Sequence, residues 1–299
     1  MYRILALDGG GVKSYLTLEI LKELEKKSGK KIYEMFDLVV GTSGGALIGA
    51  LLDTLPAEYI QHLFRNTYRK RLFSPNKNSF NGLLKPKYNI KDKEYAIKQL
   101  LQSKIEFKNF DFAAISYDIF TNTPIIFNTI EEECNEDYIL LKDFTIVDSI
   151  LASSAAPIYW NPHEYKNMTL VDGALCANNP TNVGVKLALN KNIKLEDIGI
   201  VRIGTGHLTR DYSFNTKSYS IFKWLLPLFN ITMNAPSDIT HMLYSNEGLH
   251  YYNLNGPLKF ASDNIDDISS FNFNNLKLDA DNIIIKNTDK IETILSTFM

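Results

Sequence analysis

Gly41-Thr42-Ser43-Gly44-Gly45 sets a serine among glycines, after the apolar Val39-Val40 and before the apolar Ala46-Leu47-Ile48. That order suits a nucleophile elbow, a tight strand-to-helix turn in which the small neighbours Gly41 and Gly45 let a hydroxyl project into a cleft. Ser43 is therefore the candidate nucleophile. A serine attacks an ester only if a base takes its proton and donors stabilise the oxyanion that forms. Gly9, Gly10 and Gly11 offer successive backbone N–H groups at a helix entrance, which is what an oxyanion hole requires. The same loop could cradle a phosphate, but neither Gly-x-Gly-x-x-Gly nor Gly-Lys-Ser/Thr is complete. The usual base is histidine, and the chain has five: His62, His163, His207, His241 and His250. None sits in a recognisable site motif, and a serine at position 43 comes early for the usual Ser, Asp, His order. Asp172 is the alternative, placed where Thr169-Leu170-Val171 ends in Asp-Gly, since a dry carboxylate can serve as base.

These groups need elements to hold them. Ile4 to Leu7 is apolar on both faces, as a buried parallel strand is, and the glycine loop follows at once. Helical spacing of Tyr15, Leu18, Leu21 and Leu24 runs from Ser14 to about Ser28, where Gly29 supplies a left-handed stop. Phe36 to Gly41 reads as a second strand and Ala46 to Leu52 as a second helix, so the chain opens β-α-β-α, the pattern of a mostly parallel sheet. Both glycine turns then lie at the carboxyl edge of that sheet, where open α/β folds place their sites. Further expected elements are a helix around Tyr95 to Leu101, a hairpin of Phe112–Ser116 and Ile125–Phe127, a helix from Ile146 to Ala156, a helix from Thr181 to Asn190, and a strand from Ile198 to Ile203 ending in Gly204-Thr205-Gly206. Arg65 to Glu94 has basic and aromatic residues without a period and reads as a solvated, irregular surface loop, with contact to anionic lipid headgroups or nucleic-acid phosphates as its rival reading. Trp224 to Phe229 is a compact apolar cluster that reads as core, with the lining of an access route as its rival reading. The tail from Asn255 reads as polar and asparagine-rich until a closing helix near Ile291 to Phe298.

The 299 residues are 45% hydrophobic and carry 32 basic against 34 acidic side chains, net −2, which excludes disorder as a class and gives no global pull towards nucleic acid. Cys134 and Cys176 make no disulfide framework or metal-ligand spacing and read as incidental thiols of a reducing compartment. No signal peptide or transmembrane run is evident, so a cytoplasmic protein, peripheral to membrane when it meets its substrate, is expected. No internal repeat or linker divides the chain, which reads as one domain over 1–299 with its motifs in about 1–250 and a C-terminal part, 255–299, of no assigned role.

Asp8-Gly9-Gly10-Gly11-Val12-Lys13, Gly41-Thr42-Ser43-Gly44-Gly45, Ala152-Ser153-Ser154-Ala155-Ala156-Pro157 and Asp172-Gly173-Ala174 stand in the order and approximate spacing of the four blocks of patatin-like phospholipases, which this sequence resembles. The resemblance implies a three-layer α/β/α sandwich, a Ser43–Asp172 dyad without histidine, an oxyanion hole from Gly9 to Gly11, and hydrolysis of lipid acyl esters of the phospholipase A or lysophospholipase type. It implies no metal or cofactor, and a phospholipid or other lipid ester as substrate. Where the family usually has Arg-Gly, this chain has Lys13-Ser14: lysine keeps the charge but loses the planar fork, and Ser14 is a candidate helix cap. The alternatives are an acyltransferase using the same serine, a lipase effector dependent on a protein or small-molecule activator, and a non-catalytic nucleotide-binding α/β module.

Overall fold

The computed structural model describes residues 1–77, 79–82, 84–101, 106–130, 138–140, 143–207, 220–245 and 249–298. Its strands are β1 (Tyr2–Leu7), β2 (Leu38–Thr42), β3 (Asp111–Asp118), β4 (Thr123–Asn128), β5 (Tyr138–Leu140), β6 (His163–Tyr165), β7 (Met168–Asp172), β8 (Ile198–Ile203) and β9 (His250–Leu254). They form one mixed sheet of order β5-β4-β3-β2-β1-β8-β9, with β7 bonded to β3 and β6. The run from β3 to β9 is parallel, and the expected hairpin of β3 and β4 is antiparallel.

Alternation along the central strands explains the layers. Leu5, Leu7, Val39, Phe112 and Val201 face one apolar core, whose other wall is made by the helices Ser14–Ser28, Gly44–Leu52, Ile146–Ser153 and Ser270–Lys286. Ile4, Ala6, Leu38, Val40 and Ile200 face a second core closed by Val185, Leu187 and Ala188 of the helix Thr181–Asn190. A strand buried on both faces needs helices on both, which is the expected α/β architecture.

One junction positions the site. β2 pairs with the first part of one edge of β3, ending at Thr42 opposite Ile115. β7 takes the continuation of that edge in the opposite direction, with Asp172 opposite Ser116. Two strands far apart in sequence thus meet with their carboxyl ends at adjacent positions of β3, and those ends carry Ser43 and Asp172.

Several sequence expectations are corrected. Arg65 to Glu94 is not a solvated irregular loop throughout: helical turns run from Ala57 to Leu72, a helix begins at Ile90, and Phe73, Tyr88 and Lys93 are buried. Phe73 and Tyr88 each lie 5.4 Å from the Trp160 ring, so the missing organiser was a residue more than seventy positions away. The tail contains an unforeseen helix, Ser270–Lys286, which buries Phe273, Leu276, Ala280 and Ile283 on one face and is capped by Ser269 accepting from Asn272 N–H. Strand β9 was also unforeseen; β8 supplies its partner. Ser14 does not cap its helix, and its buried hydroxyl has no hydrogen-bond partner among the described residues. Trp224 to Phe229 lies in the helix Ile221–Tyr244, where Leu228 is exposed and Pro227 buried. Cys176 is a partly buried free thiol, whereas Cys134 lies outside the described residues.

Candidate active site

Ser43 sits between the end of β2 and the helix Gly44–Leu52 with φ 54° and ψ −119°. A non-glycine residue there is strained, and such strain persists only where surrounding structure fixes it. A side-chain carbon on Gly41 would stand 2.6 Å from the Ala46 backbone, and one on Gly45 2.3 Å from the Leu7 carbonyl oxygen, so both flanking positions admit only glycine. The turn is further held by Ser43 N–H donating to Ser153 Oγ at 2.9 Å. Ser153 ends the helix Ile146–Ser153, so the third motif block fixes the backbone of the second.

The Ser43 hydroxyl donates to Asp172 Oδ2 at 2.7 Å, and Asp172 Oδ1 accepts from Ala174 N–H at 2.9 Å. Both side chains are buried. Burial pushes the Asp172 carboxyl up to about 6, opposed by the bonds from Ala174 and Ser43 and by the Lys93 ammonium. Among the described residues no histidine bonds to either group: His163 pairs with Asp148, His62 with Asn66 and His241 with Ser245.

The glycine loop passes beside this pair, but its three amides are not equivalent. Gly9 N–H donates to the Asn178 carbonyl at 3.1 Å, whereas the N–H groups of Gly10 and Gly11, which wall the cleft over Ser43 and Asp172, have no backbone acceptor among the described residues. The loop is anchored from beneath. Asp8 and Arg202 form a buried two-point ion pair, with Nε to Oδ1 at 3.1 Å and Nη2 to Oδ2 at 2.5 Å. Thr205 Oγ1 donates to the Gly9 carbonyl at 2.9 Å, giving Gly204-Thr205-Gly206 a structural role that its sequence did not specify. Thr205→Val removes that bond from a buried site; it should cost about 1–3 kcal/mol in denaturant unfolding while leaving secondary structure unchanged by circular dichroism.

The cleft over the pair is small. Its volume is about 10 Å³, room for one water at most. Met233, from the helix Ile221–Tyr244, and Ile265 line it together with Ala156 and Pro157. Ile265 is fixed by its carbonyl accepting from Val12 N–H at 2.8 Å, so the C-terminal part reaches the site. Gly10, Met233 and Ile265 also wall an adjoining polar cavity of about 370 Å³, with Lys13, Arg202 and His207 among its lining. Met233, Ile265 and Lys93 carried no sequence signal, because only packing brings them to the dyad.

The site thus brings together a buried serine–aspartate pair, a strained strand-to-helix turn and the glycine loop after β1. The model of the Patatin-like phospholipase family matches residues 5–185, and the chain belongs to that family. The chain is similar to a cGAMP-activated phospholipase of Escherichia coli (strain TW11681), 29% identical over 243 residues, 74% of this chain and 66% of that one. It is 30% identical over 226 residues to a cUMP-AMP-activated phospholipase of Escherichia coli, 68% of this chain and 64% of that one. With Patatin-like protein 1 of Arabidopsis thaliana the figures are 28% over 297 residues, 80% and 69%. The chain thus spans about two thirds of the length of these relatives. Among solved structures, VipD from Legionella pneumophila aligns over 99% of this chain and 67% of that one, with TM-score 0.48 and 13% identity.

Proposed function

We propose that the protein is a serine lipid acyl hydrolase of the phospholipase A or lysophospholipase type, acting through Ser43 and Asp172. The 2.7 Å bond from the Ser43 hydroxyl to Asp172 Oδ2 carries this reading. Asp172 takes the hydroxyl proton as Oγ attacks the ester carbonyl, and the oxyanion forms against the amides of Gly10 and Gly11. Gly9, whose N–H donates to the Asn178 carbonyl, shapes the loop and leaves the oxyanion to its two neighbours. The tetrahedral intermediate collapses with the proton passing to the leaving alcohol, and the acyl group stays on Ser43. Water, deprotonated by the same carboxylate, then releases the fatty acid. An acyltransferase would differ only in the acceptor, so added alcohols and product analysis separate the two. Release of fatty acid from phospholipid vesicles by the purified protein is the expected result; wild-type release by both Ser43→Ala and Asp172→Asn would overturn the dyad.

Peripheral contact with lipid fits the helix Ile221–Tyr244, which exposes Leu228, Ile231, Ile239, Met242 and Leu243 while Ser237 and Thr240 are buried. Among the described residues no helix is long and apolar enough to cross a membrane.

Dependence on an activator is a second reading, favoured by the cleft of about 10 Å³ beneath Met233 and Ile265, which admits no acyl chain. Relatives named as cGAMP-activated and cUMP-AMP-activated phospholipases fit a small-molecule activator. Any ligand of the adjoining polar cavity would touch Gly10 and Met233, which also wall the cleft. Met233→Ala should therefore raise basal fluorophosphonate labelling of Ser43 severalfold; an unchanged rate would remove the closed cleft as the barrier.

A further inference from the structure

We propose that Lys93 is a positioning residue of the dyad, a buried cation that holds the turn behind Asp172 and against whose charge the carboxylate is kept ionised. This rests on the Ser43–Asp172 reading above. Lys93 lies in the helix Ile90–Leu101 and is 3% exposed. Lysine is almost never so buried unless paired. Its Nζ donates to the Ser154 carbonyl at 2.5 Å and lies 4.1 Å from the centre of the Trp160 ring. One carbonyl and a ring face are poor compensation for an ammonium with three donors, so the partner that accounts for its burial must be electrostatic.

The turn that Lys93 grips joins both halves of the dyad. Asp172 N–H donates to Ala155 O at 3.1 Å and Gly173 N–H to Ser153 O at 3.3 Å, while Ser153 Oγ accepts from Ser43 N–H. Asp172 is the anion that Lys93 senses: burial pushes the ammonium down to about 7, and the Asp172 charge opposes that fall. The other charged groups on these elements have other partners or face water. Lys91 and Lys98 are exposed, Glu94 pairs with Lys98, and Asp92 is partly exposed. Asp148 pairs with His163, and Asp118 accepts from Thr121 and Thr169. Cys176, beside Asp172, has its thiol pushed up to about 11 by burial and stays neutral. Burial alone would drive Asp172 towards the protonated form, which cannot take the Ser43 proton. The Lys93 charge counteracts this.

The test follows the titration of Asp172 in the full chain by carbon-13 NMR of labelled aspartate, assigned by the signal lost in Asp172→Asn, together with the pH profile of fluorophosphonate labelling. Lys93→Met should move both upward by about one pH unit or more. Labelling near pH 6.5 then drops roughly threefold, approaching tenfold below pH 6, and recovers by about pH 8.5, a signature that a structural defect does not give. Lys93→Arg, which keeps the charge, should restore the profile. An unmoved Asp172 titration, or an equal loss of labelling at every pH, overturns the role of Lys93. Should Lys93→Met fail to fold, the reciprocal measurement decides: the Lys93 Nζ resonance should titrate at lower pH in Asp172→Asn than in wild type, and no change overturns the proposal. Wild-type labelling in Ser43→Ala would instead overturn the nucleophile, so the two failures are distinct.

Discussion

Asp172→Asn should lower the rate of Ser43 acylation by about 10²–10⁴-fold, the range that a positioned general base contributes. The amide keeps the shape of the carboxylate and can still accept from Ala174 N–H, but it cannot take the Ser43 proton. Ser43→Ala should remove acylation altogether, and its steady-state loss should be at least as large, since members of such a unit act together. Thermal unfolding of both variants should stay near the wild-type value, which separates lost chemistry from lost fold. The pH profile gives a sign. Burial raises the Asp172 carboxyl to about 6, and the base works only when deprotonated. The wild-type rate should therefore hold above that pH and fall about tenfold for each unit below it. A profile controlled by a group near 7 and abolished by a histidine substitution would point to a different base.

Arg202→Ala should be the most destabilising single change at the site, by about 3–5 kcal/mol in denaturant unfolding. Asp8 and Arg202 are almost fully buried, and truncating the arginine strands a carboxylate in a dry site next to the glycine loop. Burial already raises the Asp8 carboxyl, with the Arg202 charge as its main counterweight. The double variant Asp8→Asn, Arg202→Met should recover much of the loss, because the cost lies in the unpaired charge more than in the missing pair. Activity offers an independent readout. Gly9 follows Asp8 directly, and Thr205 lies three residues beyond Arg202, so a released pair should also loosen the loop that presents Gly10 and Gly11. Equal stability of single and double variants would show that the pair does not act as a unit.

Composition and spacing were enough for the local parts. Apolar runs bounded by glycines specified β1, β2 and β8, since a strand buried on both faces has no other composition available, and the small residues around Ser43 specified a turn that larger ones could not enter. Four ordered blocks pointed to Ser43 and Asp172 and to the glycine loop beside them. Ser270–Lys286 was illegible because its apolar residues are spread among asparagines and find their meaning only against Tyr15 and Phe64, with Phe273 4.8 Å from the Tyr15 ring. Arg65 to Glu94 misled for the same reason, its aromatics being organised by Tyr159 and Trp160 from elsewhere in the chain. Only packing brings Gly9 N–H to the Asn178 carbonyl, closes the cleft with Met233 and Ile265, and buries Lys93 against the Ser154 carbonyl and the Trp160 ring. Burial and charge proximity are properties of the packed chain, and a lysine in a basic, aromatic stretch has the same letter whether it faces water or Asp172.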